Sequence, residues 1–305
     1  MRDTRKFITH ILPLLISALL ILIGLACSGD KTPTAAIKIG VDSLTTDDGV
    51  NIKYEVHSLG DTTLLFVHCW MCDRHFWDNQ VQVFGDSFQV ITMDLGGHGE
   101  SSTNRKDYTV QAFGADVAAL MNKLDLHNVI IVGHSMGGAV MIEAARQAPE
   151  RVIALIGIDN LQELKQHFTP EQVAEVLKPL RDDFVGYSRE YLRQLWMPWT
   201  DTLIYFPIVE EMITRPPEVG IPSISNVLTY DYATALKDVH VPIWCINSNR
   251  YPTDVAGNRE VVDIFGVTII RNIGHFPQIE EPKRFNEALW TTLRDSLPLV
   301  LPLEH

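Results

Sequence analysis

Apolar and polar positions follow two rhythms along most of this chain. Short, mostly apolar runs recur at Thr63 to His68, Phe88 to Met93, Val129 to Val132, Arg151 to Ile158, Val241 to Ile246 and Val267 to Ile270. Such runs read as strands buried on both faces. Between them, Arg74 to Phe84, Tyr108 to Leu124, the stretch after Gly138 and Pro282 to Leu297 carry apolar residues at helical spacing. Ile37 to Asp42 and Val50 to Val56 are also strand-like, and Asp48-Gly49 between them signals a hairpin. Strands alternating with helices predict an α/β fold, with a mainly parallel central sheet flanked by helices.

Between Asn160 and His240 the strand rhythm stops. This stretch is helical in character and rich in aromatics, among them Phe168, Phe184, Tyr187, Tyr191, Trp196 and Trp199. It is too long for a loop and reads as a helical lid inserted between two strands. At the N-terminus, Met1 to His10 carries Arg2, Arg5 and Lys6, and Ile11 to Leu25 is almost wholly apolar. That run is shorter than the roughly 20 residues that span a bilayer. Basic start, apolar centre and small residues at the end form the layout of an export signal. The expected organisation is a signal over 1–26, a tether over 27–36, core over 37–159 and 241–305, and the lid over 160–240.

Composition changes the picture in two respects. The chain of 305 residues has a formal charge of −13, and loss of the basic N-terminal segment leaves the remainder more acidic still. An acidic surface argues against nucleic acid as partner and against loose electrostatic binding to anionic lipid. Of the four cysteines, Cys69 and Cys72 form a C-x-x-C pair, open to a disulfide in an oxidising compartment. A redox motif needs a different βαβ context, and no second ligand pair follows to make a metal site. Cys245, in an apolar strand, reads as a small buried hydrophobe. Gly24-Leu25-Ala26-Cys27-Ser28 resembles a bacterial lipoprotein signal, which implies a lipid on Cys27. The resemblance implies an exported protein anchored to the cell envelope, at the outer membrane and facing the periplasm, because no aspartate follows Cys27.

The candidate chemistry centres on Asn128 to Ala144. An apolar run enters Gly133-His134-Ser135-Met136-Gly137-Gly138, and a helix leaves it. A serine at such an apex sits on a tight turn, where neighbours with a Cβ would strike the adjoining strand and helix. The turn exposes the hydroxyl at the sheet's edge. It also sets the Met136 N–H at a helix N-terminus, where a developing oxyanion is stabilised.

Four motifs together resemble the α/β-hydrolase superfamily over roughly Ile37 to Leu297. They are Phe66-Val67-His68 with Trp77 beyond it, Asp94 to Ser101 (DLGGHGES), Gly133 to Gly138, and Asn272-Ile273-Gly274-His275-Phe276. The resemblance implies Ser135 as nucleophile and His275 as its base, with His134 and His98 structural. The usual family slot for the acid holds Asn249, which orients an imidazole but cannot stabilise imidazolium by charge. Asp159, at the end of the strand after the turn, and Asp254, beyond the usual slot, are the carboxylates available; position favours Asp159. Asp254 also suits an N-cap. The family's early His-Gly reads His68-Cys69-Trp70 here, and the resemblance implies Trp70 and Met136 as oxyanion donors.

The implied function is hydrolysis of an ester, lactone, thioester or similar small acyl substrate through an acyl-enzyme on Ser135, with no metal or organic cofactor. Lidded epoxide hydrolases and haloalkane dehalogenases use aspartate at the apex, so Ser135 argues against both. Aminopeptidase and carbon–carbon hydrolase chemistries stay open. The alternative is a non-catalytic ligand-binding protein on the same scaffold.

Overall fold

The computed structural model describes residues 37–296. The expected export signal, Cys27 and the expected tether lie outside the described residues. Eight strands form one sheet: β1 (Gly40–Thr45), β2 (Asn51–Val56), β3 (Thr63–Val67), β4 (Gln89–Met93), β5 (Val129–His134), β6 (Val152–Ile158), β7 (Ile243–Ser248) and β8 (Phe265–Ile270). Their order across the sheet is β1-β2-β4-β3-β5-β6-β7-β8. The β1–β2 and β2–β4 pairs are antiparallel and the rest are parallel. The mainly parallel sheet that the sequence predicts is thus observed.

The unbroken apolar runs have a direct cause. Along β3, Leu65 and Val67 enter one core while Leu64 and Phe66 enter another, and along β5 Ile131 and Ile130 divide likewise. Side chains alternate across a strand, so a sheet covered on both faces needs apolar residues at every position. Helices α1 (Asp78–Phe84), α2 (Val110–Lys123) and α3 (Gly137–Gln147) supply part of the cover. Thr109 caps α2 by accepting from the Ala112 N–H at 3.1 Å.

Between β6 and β7 run four helices of 11–13 residues: α4 (Pro170–Asp182), α5 (Phe184–Gln194), α6 (Thr202–Met212) and α7 (Pro217–Leu228). The capping box at Thr169 and Gln172 starts α4, and Asp183 caps α5 through the Gly186 N–H. Helix α8 (Pro282–Thr291) follows β8 and runs into a π-helical turn at Thr292–Ser296. No described helix is long and apolar enough to cross a membrane.

Two strands sit later than the apolar pattern indicates. The first runs over Gly40–Thr45 rather than Ile37 to Asp42, because the turn from Thr46 to Val50 fixes the register and pairs Gly40 with Val56 at the strand's far end. Similarly, β7 begins after Pro242 and extends through polar Asn247 and Ser248. Both are tied to the residues after β6: the Asn247 side-chain oxygen accepts from the Asn160 N–H at 3.2 Å and the Ser248 N–H donates to Asp159 at 2.8 Å.

Candidate active site

Ser135 occupies the turn between β5 and α3, with φ of 51°, in the left-handed region. Such a conformation costs roughly 1–2 kcal/mol for a residue with a Cβ and persists because the surroundings hold it. The Ser135 N–H donates to Ile158 O at 3.0 Å, and the Asn160 side-chain amide donates to Gly133 O at 2.8 Å and Ser135 O at 3.2 Å. The glycines are required by close approach. A Cβ on Gly133 would lie 2.3 Å from Gly137 O, and one on Gly137 would lie 2.7 Å from Val67 O. Gly137→Ala is therefore expected to cost about 3 kcal/mol of folding stability. Urea unfolding measures this, and an unchanged midpoint would mean the chains have room that this packing denies.

Asp159 directly follows β6, also at positive φ, 46°. Its carboxylate is buried and fully engaged: Oδ1 accepts from the Ser248 N–H at 2.8 Å, and Oδ2 lies 2.7 Å from His275 Nδ1. Burial pushes this carboxyl up, but the bonds from His275 and Ser248 outweigh burial and hold it below the ordinary carboxylate value. A carboxylate on Nδ1 fixes the tautomer: Nδ1 carries the hydrogen, and Nε2 keeps its lone pair. The His275 backbone is fixed at both ends. Its N–H donates to Leu195 O at 2.8 Å, from the inserted helices, and its carbonyl accepts from His134 Nε2 at 2.7 Å. Because His134 directly precedes Ser135, and Ser135 bonds to the residue before Asp159, the three side chains share one edge of the sheet.

The other candidates are placed elsewhere. Asn249, in the slot usual for an acid, accepts from the Asn272 N–H at 2.8 Å and braces the loop leading to His275. Asp254 caps a short helix, accepting from the Gly257 N–H at 2.9 Å. His134 is buried and pushed down to about 3 by burial and neighbouring His275, so it is a neutral structural donor. Burial also lowers His98 and His68, and His68 Nε2 accepts from the Leu95 N–H at 3.0 Å.

Met136 follows the apex directly, and Trp70 lies just past the end of β3, the strand paired with β5. Among the described residues, neither backbone N–H donates to a protein carbonyl. The Trp70 indole is tied to α7 through Gly220 O at 2.7 Å. Cys69 and Cys72 form a disulfide around Trp70 and Met71, which answers the question the C-x-x-C raised. Cys245 is free and buried. A hollow of about 100 Å³ opens between Trp70 and the inserted helices, lined by Leu177, Leu180, Tyr187, Tyr191 and Leu228. Among the described residues no group of three or more His, Cys, Asp or Glu is placed to hold a metal.

Sequence reasoning missed Asn160, Ser248 and Leu195. Asn160 follows the strand-end aspartate directly, and that adjacency was its one signal. Ser248 and Leu195 act through backbone groups, which leave no trace in residue type.

A family model described as alpha/beta hydrolase fold matches residues 62–195. A non-heme chloroperoxidase of Streptomyces lividans is 37% identical over 113 residues, covering 36% of this chain and 41% of that protein. The chain thus spans about two fifths of that relative's length. The crystal structure of a bromoperoxidase from Bacillus anthracis superposes with a TM-score of 0.74 at 20% identity, over 83% of this chain and all of that one. A thermophilic esterase from Thermogutta terrifontis superposes with a TM-score of 0.69 at 24% identity, over 83% of this chain and 98% of that one. At these identities the structural likeness establishes the fold.

Proposed function

Starting from the fact that this chain has the α/β-hydrolase fold, we propose that it is a serine hydrolase acting on an ester, lactone or similar small acyl compound. The observation that carries this reading is the 2.7 Å contact between Asp159 and His275 Nδ1 on the edge that carries the half-buried Ser135. With Nδ1 occupied, Nε2 of His275 takes the Ser135 proton as Oγ attacks the carbonyl carbon. Negative charge collects on the carbonyl oxygen, where the N–H groups of Trp70 and Met136 receive it. Each such donor is typically worth about 10²–10³ in kcat. The imidazolium returns its proton to the leaving alcohol. Water, deprotonated by His275, then releases the acid from Ser135.

The hollow beside Trp70 is mostly apolar, which suits an apolar acyl or alcohol group, and α4 to α7 would form the lid over it. The test is labelling of Ser135 by a fluorophosphonate, followed by a screen of p-nitrophenyl esters, lactones and aminoacyl amides. Because some matched proteins carry peroxidase names, the screen includes hydrogen peroxide with halide. A labelled chain turning over esters supports the reading. An unlabelled chain that binds esters without turnover would leave the ligand-binding alternative.

The second part of the proposal concerns place. Cys27 would carry a lipid and hold the chain at the cell envelope. Cys27→Ala is expected to move the protein out of the membrane fraction or leave it unprocessed. Equal palmitate labelling of the alanine variant would refute this.

A further inference from the structure

The first two turns of helix α6 are apolar on every side. Thr202 to Val209, TLIYFPIV, holds no charged side chain. A helix apolar all round belongs in an interior or in lipid, whereas one at a protein surface normally shows a polar outer face. Only one side of α6 is covered. Val209 and Met212 are buried, and Tyr205 stacks on Trp196 at 5.8 Å, which stacks on Phe276 at 4.5 Å, beside His275. The other side is bare. Leu203 is 82% exposed and Trp199, in the turn leading into the helix, is 67% exposed. They are the two most exposed large apolar side chains among the described residues. Ile204 and Phe206 extend the patch, and Leu203, Phe206 and Pro207 fall at the three- and four-residue spacing of one helix stripe. Isolated exposed apolar residues are ordinary; this many within eight positions mark a surface with a missing partner.

We propose that this face of α6 docks on a phospholipid bilayer with zwitterionic headgroups. Three observations select that occupant. The stripe offers tryptophan, leucine, isoleucine and phenylalanine, the side chains that enter the boundary between headgroups and acyl chains. The charges on α6 and its N-cap are all acidic, Asp201, Glu210 and Glu211, and the nearby Arg189 is engaged with Glu210 at 2.8 Å. That pattern repels anionic headgroups and tolerates neutral ones. Lastly, Cys27 lies ten residues before Ile37, the first described residue. Ten residues reach at most about 35 Å, so a lipid there would hold Ile37 within that distance of the bilayer. A lipid anchor fixes distance; a docked apolar face fixes orientation. Docking would place the Tyr205–Trp196–Phe276 stack between the bilayer and His275. The proposal uses the Cys27 reading for proximity alone.

The test uses the full chain with an environment-sensitive fluorophore on Leu203→Cys. Labelling is done in a Cys27→Ala background, so that only position 203 reacts: Cys69 and Cys72 are bonded and Cys245 is buried. The protein is mixed with phosphatidylcholine vesicles containing nitroxide-labelled lipid. A label on Leu59→Cys, an exposed position outside the patch, serves as control. The label at 203 should shift to the blue and be quenched several-fold more than the control. Adding Phe206→Asp should shrink the inserted population about tenfold, since losing two buried methylenes' worth of transfer energy suffices for that. Circular dichroism should stay unchanged. Replacing half the lipid with phosphatidylglycerol should weaken quenching. Equal quenching at both labels, or quenching indifferent to Phe206→Asp, would overturn docking. Burial of the label without vesicles, together with a dimer by light scattering, would overturn it in favour of a second copy. Stronger quenching on phosphatidylglycerol would overturn the choice of headgroup. If Cys27 carries no lipid, vesicles will not retain the protein on flotation, yet added vesicles will still quench position 203; the two readings fail separately.

Discussion

Ser135→Ala is expected to lower kcat on the best ester by about 10⁶ and to abolish fluorophosphonate labelling, with little change in melting temperature. The magnitude follows from what alanine removes. Without Oγ no acyl-enzyme forms, and catalysis falls to what substrate binding and the two N–H donors supply, which is about 10³–10⁴ over water in a comparable serine hydrolase. Stability should hold because the strain at position 135 belongs to the backbone. Alanine carries the same Cβ as serine at φ of 51°, and the bonds from Ser135 N–H to Ile158 and from Asn160 to Ser135 O use backbone atoms that alanine keeps. Stopped-flow ester hydrolysis and calorimetry on the same preparation separate the two effects. A variant retaining kcat within tenfold would remove Ser135 from the mechanism. One that lost activity and melted far lower would show that the hydroxyl has a structural task.

The apex was legible because its chemistry and its sterics ask for the same residues. A serine in left-handed geometry between a strand and a helix needs glycine at both flanks, and close approach to Val67 and Gly137 turns that need into a sequence signature. The strands were legible because both sheet faces are buried. The acid was harder to read. Several strands end in polar residues, and from sequence alone Asp159, Asn249 and Asp254 each had a local use. What separates them is long-range: the parallel pairing of β6 with β7 brings the Ser248 N–H to Asp159, and Asn249 turns instead to Asn272. The contact from Leu195 O to the His275 N–H was invisible for a related reason, since it joins two backbone groups 80 residues apart. The Cys69–Cys72 bond depends on loop geometry, which spacing alone leaves undecided.

Asp159→Asn is expected to lower kcat by about 10⁴, while Asp254→Asn leaves it within a few-fold. The first effect is larger than the loss of one charge. Oδ1 of Asp159 is held by the Ser248 N–H at 2.8 Å, so an asparagine would keep its oxygen there and turn its NH₂ toward His275. An amide donor facing Nδ1 forces the imidazole into the other tautomer, with the hydrogen on Nε2. That nitrogen can no longer accept the Ser135 proton. The variant also loses the anion that stabilises imidazolium when charge develops on His275. Asp254 differs because its task is a cap, and asparagine caps a helix about as well as aspartate. The pH dependence of stability supplies a second, independent readout. The Asp159 carboxyl is held below its ordinary value in the folded protein, so it contributes stability that is present above the unfolded pKa and lost as pH falls through the folded one. Asp159→Asn should flatten that acid-side loss, and Asp254→Asn, judged by urea midpoints between about pH 5 and pH 3, should leave it intact. If Asp254→Asn proved the inactive variant, or if Asp159→Asn kept kcat within tenfold, Asp159 would not be the acid that serves His275.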